Sequence, residues 1–443
     1  MPARLKIDFF TPLPPQPTEI GNHSVALLPA LAARAEVTVW TDQESWTPLP
    51  DIVVRRFTPD APPFAQMNRA DVTFYNIGNN SIFHGAIYNV ARRSPGIIIL
   101  HDTNLQNFFA HYGISGSETA PLYLDAMRRW HGPEAEEEAR RLIAGRTRIE
   151  SLMPFYPLTL ETTESAVGII THNEAESVAI GKATRLPVYH VPLSFDLRRV
   201  LPPPAAARNT PPWRLLVFGF IGSNRRLPVI LHALAKLQVL DLFVLDIYGT
   251  LEDPAGVDKL ISELGLGAHV RRHGFVTRPV LEAALLRTDL AINLRNPTMG
   301  EASSSQLHLW ANALPTLVSR VGWYADLPSD TVFHVDPVRE VEDVQVHLSS
   351  FARDRAPFIA AGQRGRQRLL TVHGTDRYAD ALLQIAQEAS VQHGRRTAID
   401  MARAASLRLL ELVGRDMLPL LAPPVAAHIV ALTAGRIEES ARL

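Results

Sequence analysis

Cysteine is absent from this 443-residue chain. That excludes disulfides and thiolate metal centres, and with them a small secreted scaffold held by cross-links. Net charge is nearly absent as well: 44 Lys and Arg against 45 Asp and Glu leave a formal charge of -1. Such a balance offers no basic surface for bulk nucleic-acid binding. Lysine is scarce, with only Lys6, Lys182, Lys236 and Lys259; an arginine bias of this kind is more often a matter of genome composition than of function. No apolar run approaches the roughly 20 residues that cross a bilayer. The opening "MPARLKIDFF" runs into a strand pattern without the apolar core of a signal peptide. The expectation is a cytoplasmic protein with no transmembrane segment.

What is present is alternation. Short apolar runs recur at 5–10, 37–40, 52–57, 72–77, 96–100, 167–171 and 188–191, then at 214–220, 243–248, 270–275, 290–294, 316–319 and 332–335. Amphipathic stretches separate them, which is the pattern of parallel sheets flanked by helices. With 46% apolar residues, the chain is long enough for two domains with separate cores. "LPPPAAARNTPPW" (201–213) holds five prolines, and proline breaks both helices and central strands, so it reads as the linker. The predicted organisation is an α/β protein of two Rossmann-like domains facing a cleft. An N-terminal Rossmann-like domain spans 1–200, with a helical insertion near 116–150, and a C-terminal Rossmann-like domain spans 214–375. A helical tail over 376–443 returns to the first domain or forms an oligomer contact.

In open α/β sheets ligands gather beyond the carboxyl ends of strands, so the loops that follow strands were read for chemistry. After the first strand, Glu19, Ile20, Gly21 and Asn22 lie near a helix start, where free N–H groups favour an anion; an ordinary loop capped by Asn22 or Ser24 is the plainer alternative. His101 and Asp102 follow an all-apolar strand, as a cap or as polar groups aimed into the cleft. His84 reads as structural, and His172 stands before Asn173, a natural helix cap. In "FGFIGSNRR", Gly222 permits a tight turn, while Arg225 and Arg226 oppose the dipole of the helix they open. A bound phosphate would resolve that conflict. His273, Gly274, Phe275 and Val276 end another strand, where a base could stack, although a core phenylalanine is the commoner outcome. Finally "PTMGEASSS" brings Gly300, which lets backbone approach a ligand. It also brings Glu301, an acceptor for sugar hydroxyls, and Ser303, Ser304 and Ser305 over a first helical turn. Capping alone would explain the last group, but not the arginine pair.

Several of these segments, above all "FFTPLPPQPTEIGNHS", "GIIILHD", "FGFIGSNRRL", "HGFV" and "PTMGEASSS…ALPTLVSRVGWYADLP", resemble the family 4 retaining glycosyltransferases of the GT-B fold, in a branch with a PTxGETSG-like motif. The likeness covers roughly residues 4–390. It implies that His101 contacts the donor sugar near its reacting carbon, that Arg225 and Arg226 hold the diphosphate without a metal, and that Glu301 orients sugar hydroxyls. It further implies that Ser303 to Ser305 form the diphosphate loop and His273 to Val276 the base loop. There are departures: neither His308 nor Leu309 supplies the family's second glutamate, Ala302, Ser304 and Ala313 replace threonine, glycine and glycine, and Glu19 stands where glycine is common.

The function expected is a retaining, metal-independent transfer of sugar from a nucleotide-diphosphate sugar to a hydroxyl acceptor, without a cofactor. The acceptor would be a glycan or a lipid-linked one, in polysaccharide or glycoconjugate assembly. A peripheral membrane contact and a homo-oligomer through the tail remain open. The alternatives are a catalytically inactive GT-B partner subunit and a sugar-nucleotide epimerase.

Overall fold

The computed structural model describes residues 4–67, 69–115, 120–200 and 210–390, together with Pro423. The tail beyond 390 and most of the expected linker lie outside the described residues. All thirteen apolar runs form strands: β1 (Lys6–Phe10), β2 (Glu36–Thr41), β3 (Val53–Arg56), β4 (Val72–Ile77), β5 (Ile97–Leu100), β6 (Gly168–Thr171) and β7 (Val188–His190), then β8 (Trp213–Phe218), β9 (Phe243–Tyr248), β10 (Val270–Gly274), β11 (Leu290–Asn293), β12 (Thr316–Ser319) and β13 (Phe333–Val335). Trp213, counted in the linker from the sequence, opens β8.

They make two sheets of seven and six strands, ordered β3-β2-β1-β4-β5-β6-β7 and β10-β9-β8-β11-β12-β13. Every recorded pairing within them is parallel. Helices cover both faces, so central strands are buried on both sides and read as unbroken apolar runs. All four residues of β5, β11 and β12 are buried. The edge strand β3 instead shows Arg55 and Arg56 to solvent, charges that discourage pairing with another chain. In each sheet the order reverses beside the first strand, between β1 and β4 and between β8 and β11. Crevices open at such points, and the loops after these strands therefore border the cleft.

Helix α1 (Glu19–Ala32) is capped by Thr18 rather than by Asn22 or Ser24, and Thr18 makes no side-chain cap bond. Ser24 lies inside the helix, buried, with its hydroxyl 2.7 Å from that of Thr11. The helical insertion starts earlier than 116: helices Gln106–Ser115, Ala120–His131 and Pro133–Ile143 follow β5. The last of these opens with Pro133, Glu134 and Glu136 and closes with Arg140 and Arg141, the arrangement a helix dipole favours.

The chain crosses between the domains twice, side by side. Phe195 donates its backbone N–H to the His373 carbonyl at 2.6 Å, Phe195 and Gly374 form a parallel bridge, and His373 Nδ1 donates to the Leu193 carbonyl at 2.7 Å. Residues 375–390 are helical and bring Tyr378, Leu382 and Ile385 against Ile7, Leu28 and Leu31 of the first domain. Leu382 is fully buried there. Leu382→Ala should cost about 3 kcal/mol, read as a lower urea midpoint at unchanged slope; an unmoved midpoint would show that this helix does not hold the first domain.

Candidate active site

The carboxyl ends of β1 and β5 meet those of the second sheet at a cavity of about 210 Å³. Glu19, Ile20, Asn22, His101 and Asp102 line it from the first domain, and Glu301, Ser304 and His308 from the second. Asn76, at the end of β4, donates Nδ2–H to the Phe10 carbonyl at 3.1 Å. Its Oδ1 is thereby the acceptor facing His101 Nε2 at 2.9 Å. That bond places the ring proton on Nε2 and leaves Nδ1 as the acceptor. His84 is buried and bonds the Asn76 carbonyl, a structural place.

His101 sits in a cluster of imidazoles. Its centroid is 4.8 Å from that of His172 and 5.6 Å from that of His23. The Tyr378 ring closes the cluster at 5.3 Å from His23. Burial, then the neighbouring His172, lowers His23 to about 3, and burial lowers His172 to about 4. Burial, reinforced by the other histidines, holds His101 well below its ordinary value. All three are neutral near pH 7. Asn173, beside His172, caps its helix by accepting the Glu176 N–H.

Asp102 Oδ2 accepts the Asn79 N–H at 2.8 Å. Burial, then the nearby Glu301, raises the Asp102 carboxyl to about 7, against the opposing pull of Asn79 and Arg295. Glu301 is held by its own loop, accepting from Met299 N–H at 2.6 Å and Thr298 Oγ1 at 2.8 Å. Its other oxygen lies 3.2 Å from Arg295 Nε. Ser303 caps helix Ser304–Ala311 by accepting the Gln306 N–H, and Ser304 Oγ donates to Glu19 Oε2 at 3.5 Å. Glu19 thus links the starts of two helices across the cleft. Gly300, at φ 75°, packs so closely on Thr103 that a Cβ would overlap its hydroxyl.

The other sequence candidates lie elsewhere. Arg226 donates Nε to Glu340 Oε2 at 2.8 Å, a carboxylate that offsets its conflict with the helix it caps. Arg225 is only 3% exposed and donates to Asn293 Oδ1 at 2.8 Å and the Phe218 carbonyl at 2.7 Å. Burial and the neighbouring Arg295 lower it to about 10. Neither arginine lines the cavity. Ser223, following Gly222, donates its N–H to Glu252 at 3.0 Å. His273 bonds Asp246 at 2.7 Å and stacks on Tyr248 at 4.1 Å. Beyond Gly274, Phe275 is 83% exposed and is not the core residue such a position commonly holds, whereas Val276 packs inward.

Three groups in or beside this site escaped the sequence reading. Arg295 was signalled only by a charge directly after the apolar β11. His23 lay inside a segment read for its neighbours. Glu176, in the first turn of its helix, looked like an ordinary helix-start acid. Among the described residues no group of three or more His, Asp or Glu side chains is placed to hold a metal ion, and no helix is long and apolar enough to cross a membrane.

The architecture matches solved structures. HepE from Anabaena, in complex with UDP, superposes with a TM-score of 0.59 at 14% identity over 87% of this chain and 100% of its own. Sucrose-phosphate synthase from Thermosynechococcus elongatus gives 0.58 at 15% identity, over 87% and 99%. WaaG, a glycosyltransferase involved in lipopolysaccharide biosynthesis, gives 0.56 at 14% identity, over 86% and 99%. The fold is GT-B. No family model and no curated protein matches the sequence. At these identities the GT-B likeness establishes architecture, and the chemistry must come from the cavity itself.

The raised Asp102 carboxyl has a signed consequence for stability. Its folded pKa exceeds its unfolded value, so the folded state holds the extra proton between about pH 4 and about pH 7, and the stability it contributes declines as pH rises through that window. Asp102→Asn removes the effect. The melting-temperature difference between the variant and the wild type should shift in the variant's favour from about pH 4 to about pH 8; a difference independent of pH would show that Asp102 ionises normally.

Proposed function

We propose that the protein is a retaining, metal-independent glycosyltransferase that takes a nucleotide-diphosphate sugar as donor and a hydroxyl as acceptor. One observation carries the reading: His101 and Asp102 from one sheet meet Glu301 and Ser304 from the other on a single interdomain cavity. The HepE structures hold UDP and, in one case, UDP-glucose, which supports a donor of that class. The family 4 resemblance of the motifs supports the retaining course.

In this reading the donor's diphosphate lies at the start of helix Ser304–Ala311, where unpaired N–H groups favour an anion. Arg295 does not line the cavity but pairs with Glu301 at 3.2 Å, which fixes that carboxylate and adds positive charge behind it. Glu301, fixed by Thr298 and Met299, accepts from sugar hydroxyls, and His101 contacts the sugar near its reacting carbon. As the bond to the diphosphate breaks, charge develops on the leaving oxygen. Preorganised donors stabilise it more than they stabilise the ground state, which is how such sites accelerate reaction. The leaving oxygen then takes the acceptor's proton on the same face, and no protein nucleophile is needed.

The test is a panel of UDP, GDP, ADP and dTDP sugars incubated with the protein in EDTA, following melting temperature, nucleotide release and the anomeric configuration of the product. One nucleotide series should stabilise the protein, and its sugar should be transferred with retention. Arg295→Met removes the ion pair that fixes Glu301 and should lower kcat by up to ~10²-fold, the cost of a catalytic group displaced by about an ångström. An inverted product would overturn the retaining course, and a sugar epimerised without transfer would replace the reading with an epimerase. A panel in which nothing binds would favour the inactive partner subunit.

A further inference from the structure

Four acids line the cavity of about 210 Å³: Glu19, Asp102, Asp196 and Glu301. Among the described residues on its wall, Arg199 is the only lysine or arginine. Three of the acids are answered inside the protein. Glu301 pairs with Arg295 at 3.2 Å. Asp196 accepts from both Nε and Nη2 of Arg198, at 2.8 and 3.0 Å. Asp102 accepts the Asn79 N–H, and burial, then the nearby Glu301, raises it to about 7. Glu19 meets neutral donors, Ser304 at 3.5 Å and Asn22 at 3.4 Å.

Arg199 is held by an aromatic ring and by no acid. Its guanidinium carbon lies over the Phe195 ring, 5.8 Å from the centroid. Phe195 in turn meets the His308 ring at 5.0 Å, on the helix Ser304–Ala311. Burial, then Arg278, lowers His308 to about 4, so near pH 7 it adds no charge to this wall. A cation–π contact takes up none of the guanidinium's N–H donors. Arg199 Nε is buried without a hydrogen-bond partner, and among the described residues no carboxylate pairs with the group, since Arg198 takes the adjacent Asp196. A second cavity, of about 540 Å³, lies across the loops after β5 and β11, with Thr103 and Gly300 on its wall. Thr103 and Asn104 are docked on the Met299 carbonyl between the two, so whatever enters the smaller cavity is held by that cavity's own walls.

We infer that Arg199 binds the diphosphate of the sugar donor and is the side-chain cation set against the leaving group. The inference rests on the glycosyltransferase reading and names the residue that grips the leaving group. A diphosphate entering beside Glu19 needs a counter-charge, because like charges at close range repel strongly out of bulk water. The planar fork of an arginine matches two phosphate oxygens at once. When the bond from the anomeric carbon to the diphosphate oxygen breaks, its electron pair stays on that oxygen. The acceptor oxygen bonds the carbon, and the acceptor's proton passes to the departing diphosphate. Negative charge on the diphosphate grows as that bond breaks, so Arg199 stabilises the transition state more than the bound donor.

The test titrates three probes into the wild type, Arg199→Met and Arg199→Lys: the nucleoside diphosphate selected by the nucleotide panel, its nucleoside, and inorganic pyrophosphate. Without ligand the variants should melt with the wild type, because methionine and lysine keep an apolar stem on Phe195. Arg199→Met should bind the nucleoside diphosphate and pyrophosphate roughly tenfold to a hundredfold more weakly, bind the nucleoside as before, and lose ~10²-fold in kcat. Arg199→Lys should recover part of both losses, since it restores the charge without the fork. Equal loss for nucleoside and nucleoside diphosphate, or a loss confined to the acceptor's KM, would overturn the inference. A wild type that transfers sugar, beside an Arg199→Met variant that binds the diphosphate normally, would overturn the Arg199 assignment alone. A wild type that binds no nucleoside diphosphate would overturn it together with the glycosyltransferase reading.

Discussion

The Met299 carbonyl accepts two backbone N–H donors at 2.9 Å, from Thr103 and Asn104. That pair of bonds docks the loop after β5 onto the loop after β11. The dock puts Asp102 and Glu301 on one side and Thr103 and Gly300 on the other, so both cavities exist because of it. It also explains Gly300: with a side chain there, Thr103 could not approach and the two sheet edges would stand apart. Backbone hydrogen bonds are directional and weaken as they lengthen or bend, so two on one carbonyl hold the loops in a defined position.

Charge at this junction is arranged to be held in reserve. Asp102, Glu176 and Glu301 crowd together, and burial raises the first two carboxyls. Arg295 is the cation placed among them, within 3.2 Å of Glu301. The three imidazoles nearby are kept neutral by burial, so they add shape and hydrogen bonding but no positive charge. Arg295 Nε and Glu301 Oε1 face each other as an ion pair at 3.2 Å, while Arg225 Nε is buried without a hydrogen-bond partner.

Strand positions were legible because a parallel sheet buried on both faces writes itself as apolar runs, and all thirteen runs became strands. His101, Asp102, Glu301 and Ser304 were legible because each follows a strand. The conflict of Arg226 with the helix dipole is legible in the sequence, but the carboxylate that faces it in the structure, Glu340, lies 114 residues away and has no local signature. Arg295 pairs with Glu301 inside one loop, where no helical or strand periodicity signals the pair, and Glu176 meets Thr103 and Gly300 from loops distant in sequence. Local rules read charges against their own helix, and none of these three is decided there.

The double crossing has a mechanical meaning. Two chain segments joined by the Phe195 N–H to the His373 carbonyl and by the His373 ring to the Leu193 carbonyl act as a strip fixed at one edge of the interface. A single tether would let the domains swivel and slide in any direction. A paired one removes most of that freedom, so that separation of the domains becomes a swing about one axis, widest at the edge far from the strip. Any opening about that axis would first have to part the two hydrogen bonds on the Met299 carbonyl.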